Sequence, residues 1–111
     1  MSEFVFLFRG DEMTGSPDQL QKQMQAWSEW MKDLTAKGHL KGGQPLERTG
    51  VVVDRTKSIN DGPYAEAKDL VGGYMVIECK DIATASELAK GCPSFQSGGF
   101  VEVRPVMKLS M

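Results

Sequence analysis

Gly73-Tyr74-Met75-Val76-Ile77-Glu78-Cys79 is the stretch that decides the fold. Side chains alternate along a strand, so Tyr74 and Val76 share one face while Met75, Ile77 and Cys79 share the other. Both faces are apolar, which predicts a central strand covered on two sides. Residues 3–9 form a second segment of this kind, with Phe4, Phe6 and Phe8 on one face and Val5 and Leu7 on the other. A loop is expected at 10–15. Upstream of the central strand lies Asp61-Gly62-Pro63-Tyr64-Ala65-Glu66-Ala67-Lys68. Aspartate before Gly-Pro predicts a stiff turn, because its carboxylate accepts from nearby backbone N–H groups and proline fixes φ. That turn projects Tyr64, Glu66 and Lys68 just ahead of the strand.

Ser16-Pro17-Asp18-Gln19 has the form of a capped helix start, with Ser16 as N-cap, Pro17 at the first position and Gln19 as the reciprocal partner. Leu20, Met24, Trp27, Met31 and Leu34 then recur at helical spacing and are expected to form the buried stripe, with Trp30 at its edge. Gly38 is the expected stop. Residues 39–46, interrupted by Gly42-Gly43 and Pro45, are a short strand or extended segment. Residues 50–54 and 57–60 predict a hairpin turning near Arg55-Thr56. Asp81 suits the N-cap of a second helix over 82–90, whose stripe is Ile82, Ala85, Leu88 and Ala89; Gly91 and Pro93 end it. A last strand is expected over 100–107, with Val101, Val103 and Met107 opposite Glu102 and Arg104.

The order strand, helix, strand with hairpin, strand, helix, strand predicts an α+β, ferredoxin-like split βαβ fold. It has one antiparallel sheet and two helices on one face. One helical layer leaves the other sheet face bare, and that face is apolar. A second copy packed sheet against sheet would cover it, so a homodimer is expected.

The 111 residues suit a single domain, 1–111, and a composition of 41% hydrophobic and 25% charged residues is ordinary for a globular protein. A net charge of −2 without clustered Lys or Arg argues against nucleic acid as a partner. The apolar run 4–8 is too short for a membrane span and lacks a basic leader, so a cytoplasmic location is expected. Two cysteines and one histidine make neither a disulfide framework nor a zinc site. Cys79 and Cys92 are read as reduced thiols, Cys92 in a packing role. The glycine pairs lack phosphate-loop spacing, and no cofactor or metal is expected.

Asp61 to Lys68, Gly72-Gly73-Tyr74, Ala89-Lys90-Gly91-Cys92-Pro93 and Val101-Glu102-Val103-Arg104-Pro105-Val106-Met107 together resemble the DGPF branch of the YCII-related proteins. That branch usually has phenylalanine where Tyr64 stands. The resemblance spans nearly the whole chain and implies a dimeric α+β barrel in the bacterial cytoplasm. It also implies a family mostly without assigned biochemistry. Some relatives are associated with extracytoplasmic-function sigma factors, and one branch includes a dehydrochlorinase of a chlorinated hydroxyquinol. The better studied YCII branch carries a His and Asp pair on its first helix. Aligned on Gly38, those positions are Trp27 and Ala36 here, and neither moves a proton.

The remaining candidates are polar. Arg104 offers a fork of donors for a carboxylate or phosphate; the competing reading is an ion pair with Glu66, Glu102 or Asp61. Asp61 and His39 are the candidate proton carriers, against turn-capping for Asp61 and helix-end or solvent contacts for His39. Tyr64, Glu66, Lys68 and Trp30 complete the ligand-binding set. Two functions follow. One is a module binding a small, anionic ligand in a cleft near the Asp61 segment. The other is a small lyase- or hydrolase-like enzyme using Asp61 or His39 as base.

Overall fold

The computed structural model describes residues 1–10, 15–62 and 66–109. Tyr64 and most of the loop expected at 10–15 therefore lie outside the described residues. The main sheet has four antiparallel strands in the order β2-β5-β1-β6. They are β1 (Ser2–Arg9), β2 (Leu40–Pro45), β5 (Val71–Cys79) and β6 (Phe100–Pro105), with α1 (Pro17–Ala36) and α2 (Ile82–Ala89) between them. This is the ferredoxin-like arrangement, and the two strands apolar on both faces are the central pair. Between β2 and β5 the chain forms a separate two-stranded hairpin, β3 (Gly50–Val53) and β4 (Ile59–Gly62), and a 3₁₀ turn at Ala67–Asp69.

Phe4, Phe6, Phe8, Met75, Ile77 and Cys79 point to the helical side and are buried with Trp30, Leu34, Ala85, Ala89 and Cys92. Burial pushes the Cys79 thiol pKa up, as expected where a thiolate would lose its hydration. Cys92 is likewise buried, with its Sγ 3.0 Å from Ser94 Oγ.

The helix caps follow the sequence. Ser16 Oγ accepts from Gln19 N at 3.2 Å and Gln19 Oε1 accepts from Ser16 N at 2.9 Å. At the other end Gly38, at φ 78°, turns the chain so that its N–H donates to Thr35 O and that of His39 to Leu34 O. These two bonds satisfy carbonyls that the helix end would otherwise leave without partners. Asp81 Oδ1 accepts from Thr84 N and Oγ1, which holds its carboxyl below the usual range.

The buried stripe of α1 is rotated from the one expected. Met24 and Met31 are 65% and 40% exposed, while Trp30 is 9% exposed and stacks on Phe6 with ring centroids 6.3 Å apart. Trp27 and Trp30 both set an edge against Phe8. Two indoles bury more apolar surface than two thioethers, so the helix turns its tryptophans inward. In α2, Ala85 and Ala89 are buried as expected but Ile82 is exposed. After α2, residues 93–97 form a 3₁₀ turn. β6 ends at Pro105, leaving Met107 exposed beyond it. Pro45 and Pro105 both close outer strands of the sheet.

Asp54, not among the sequence candidates, organises the hairpin turn. Its Oδ1 accepts from Thr56 N at 2.9 Å, Thr56 Oγ1 at 2.6 Å and Ser58 N at 3.0 Å, and its Oδ2 from Asn60 Nδ2 at 3.1 Å. The Thr56 hydroxyl and the Ser58 N–H lead in holding its carboxyl below the ordinary range. A lowered folded-state pKa means that this contribution is full above the unfolded value, about 3.9, and fades as pH falls through the folded value. Amide exchange at Thr56 and Ser58 should therefore accelerate on acidification below about pH 4, relative to β1 amides. Asp54→Ala should show the fast exchange already at neutral pH; equal protection in the two proteins would refute the role.

Candidate functional site

The sheet face away from the helices carries the polar candidates. Register sets Val5 opposite Val76 and Arg104, and Leu7 opposite Tyr74 and Glu102. Val5, Leu7 and Val76 are only partly covered, and Tyr74 is 36% exposed. An apolar floor thus runs across the central strands, with charges on β6 beside it.

Those charges divide unequally. Arg9 Nε donates to Glu102 Oε1 at 2.8 Å, and Arg9 Nη1 donates to the Asp69 carbonyl at 2.7 Å. Arg9 thereby ties the 66–70 segment to the end of β1, helped by Gly10 N donating to Leu70 O. With Glu102 committed, Arg104 has neither an ion pair nor a hydrogen bond among the described residues. Of the ion pairs weighed for it, those with Glu66, Glu102 and Asp61 of the same chain do not form. Arg9 was absent from the sequence candidates. The available signal was its parity with Val5 and Leu7, which puts it on the Glu102 face.

The remaining candidates are dispersed. Glu66 and Lys68 face each other at 3.7 Å, both largely in water, where such a pair contributes little. Asp61 lies within β4 opposite Val51, and its carboxylate makes no hydrogen bond among the described residues; the rest of the turn expected after it lies outside the described residues. His39 follows α1 and bonds to the Glu78 end of β5, its Nδ1 2.9 Å from the Glu78 carbonyl. A carbonyl only accepts, so Nδ1 is the donor in this bond, and in a neutral ring Nε2 is then the acceptor. No hydrogen bond joins His39 to Asp61. Trp30 is on the opposite side of the sheet from Arg104. There it lines an open cleft of about 470 Å³ with Glu29, Asp33, Lys90, Cys92 and Phe95.

The sequence pattern of the YCII-related domain matches residues 3–110. The chain belongs to the YCII-related family. The solved structure of a 5-chloro-2-hydroxyhydroquinone dehydrochlorinase from Burkholderia phenoliruptrix AC1100, in complex with 2,5-dihydroxybenzoquinone, is similar to this YCII-related domain. The match covers 92% of this chain and 90% of that one, at 20% identity and a TM-score of 0.50. At that identity the likeness bears on the fold alone. No curated protein matches the sequence. At the positions where the better studied branch carries its pair, Trp27 packs on Phe8 with centroids 5.0 Å apart and Ala36 is exposed at the end of α1. No helix of the described residues is long and apolar enough to cross a membrane.

Proposed function

We propose that this YCII-related domain is a cytoplasmic, homodimeric binding module. A second copy covers the open sheet face, and the cleft between the two holds a small anionic ligand on Arg104, close to the 61–68 segment. The observation that carries this reading is Arg104 itself. A guanidinium standing beside Val5 on an apolar floor, with Glu102 drawn away by Arg9, presents its whole fork of donors to whatever enters. Shielding by a second copy would lower the local dielectric and strengthen that contact.

A ligand present at ten times its dissociation constant stabilises the folded state by about 1.4 kcal/mol, or several degrees in Tm for a chain of this size. Thermal unfolding with inorganic phosphate and a panel of small carboxylates should show such a shift in the wild type. Arg104→Ala should abolish it. A shift that survives the substitution would remove Arg104 from the site.

A second reading, a lyase- or hydrolase-like enzyme with Asp61 or His39 as base, draws on the unengaged Asp61 carboxylate and the accepting Nε2 of His39. It has less support because the two groups sit on separate elements and neither hydrogen-bonds to an acidic side chain among the described residues. The dehydrochlorinase chemistry of the structural relative would need a proton carrier at a different position from the helix pair of the better studied branch.

A further inference from the structure

Among the described residues the hairpin β3–β4 is paired only with itself, and it carries an apolar face into water. Register places Val51 opposite Asp61 and Val53 opposite Ile59, so these four side chains share one face. Val51, Val53 and Ile59 are 64%, 62% and 72% exposed. An isolated two-stranded hairpin is marginal in water, and three β-branched residues on one face call for a cover. The Cα radius of gyration, 15.5 Å, exceeds the value of about 13 Å for a compact chain of this length, as an outlying arm requires.

We infer that this arm reaches across to a second copy of the chain and lies on its open sheet face, bringing Asp61 of one protomer to Arg104 of the other. The inference rests on the proposed dimer cleft and adds that neither copy holds a complete site.

Charge complementarity is the first support. Asp61 is a carboxylate without a partner among the described residues, set beside an apolar triad. Arg104 is a guanidinium without one, set beside an apolar floor. Within one chain the two groups do not meet among the described residues. The arm leaves the sheet between β2 and β5, whereas Arg104 is on β6 at the other edge. The two outer strands are about 14 Å apart, and Arg104 pairs with Val5, about 13 Å along the strand from Arg9. A two-fold axis along the strands, midway between facing sheets, carries the β2 side of one copy over the β6 side of the other. The size of the surface agrees. Alternate residues of four strands give about fourteen side chains on the open face, short of the roughly 20–30 per side of a stable interface, and the four of the arm face bring the count to about eighteen, near that lower bound. A guanidinium has five N–H donors, so the partner's carboxylate on one edge leaves another for the ligand.

The test is a charge exchange between two chains, read by sedimentation. Asp61→Arg and Arg104→Asp each set like charges together twice per dimer, and each should raise the dimer dissociation constant at least about tenfold. An equimolar mixture restores both pairs and should return within about threefold of wild type. Single variants that dimerise like wild type, or a mixture as dissociated as its components, would overturn the inference. If phosphate still stabilised a dimeric wild type in that case, the cleft reading would stand without the arm. A monomeric wild type at micromolar concentration would end both. Should a charge variant fail to fold by circular dichroism, Val53→Lys with Ile59→Lys on the exposed arm replaces it. That variant should be a folded monomer, and its persistence as a dimer would equally overturn the inference.

Discussion

Phe6→Ala is expected to lower the unfolding free energy by roughly 3–5 kcal/mol, the range for removing a fully buried aromatic ring. Phe6 is 0% exposed on a central strand. Its ring stacks on Trp30 at 6.3 Å and meets Phe8 edge-on at 6.4 Å, so one deletion loosens both neighbours. The backbone of β1 is fixed on both sides by β5 and β6 and cannot move in to fill the hole. A domain of this size has about 5–15 kcal/mol in total, so the loss takes up much of its stability. Urea unfolding measures it directly, with the midpoint falling by about 2 M for a slope near 2 kcal/mol/M. Phe6→Leu keeps most of the volume and should cost much less. A loss below 1 kcal/mol for the alanine variant would show that α1 can settle onto β1, against the rigid aromatic layer described above.

Gly43→Ala is the second large effect, at about 2–4 kcal/mol from strain and crowding together. Gly43 has φ 152°, and a Cβ built on it would collide with Tyr74 O and stand 2.9 Å from Met75 Cα. Both obstacles are β5 backbone, which is locked into β1 and cannot retreat. Relief must come from β2, an outer strand already irregular between Leu40 and Gly42. The expected outcome is therefore local: early loss of amide protection in residues 40–46, with the β1 and β5 amides holding until global unfolding. Uniform loss across the sheet would contradict that localisation.

The architecture was legible because its signals are periodic. Phe4 to Phe8 and Tyr74 to Cys79 alternate on both faces, and Ser16, Gly38 and Asp81 mark helix ends through hydrogen bonds that involve neighbours in sequence. The α1 stripe was misjudged by one position because Met24, Trp27 and Met31 satisfy the same spacing as the true set around Trp27 and Trp30. Helical periodicity cannot choose between them; the cost of leaving an indole in water does. The site was less legible. Glu102 was visible as a partner for an arginine, but choosing Arg9 over Arg104 depends on side-chain reach across strands whose register the sequence leaves open. Asp61 was read for the turn that Gly62-Pro63 implies, and its pairing with Val51 in a strand was not visible because the hairpin register is not written in the local sequence. Asp54 was passed over because the ring of donors it gathers spans residues 56–60 and exists only once the hairpin has closed.

The two prolines at the ends of the outer strands have a consequence for what the protein does at high concentration. Leu46 N donates inward to Gly72 O and Val106 N inward to Glu3 O, so by alternation the nitrogens of Pro45 and Pro105 face outward. Each rim therefore lacks a donor where another chain would begin to stack rung upon rung. Filament growth along the sheet is discouraged at both margins.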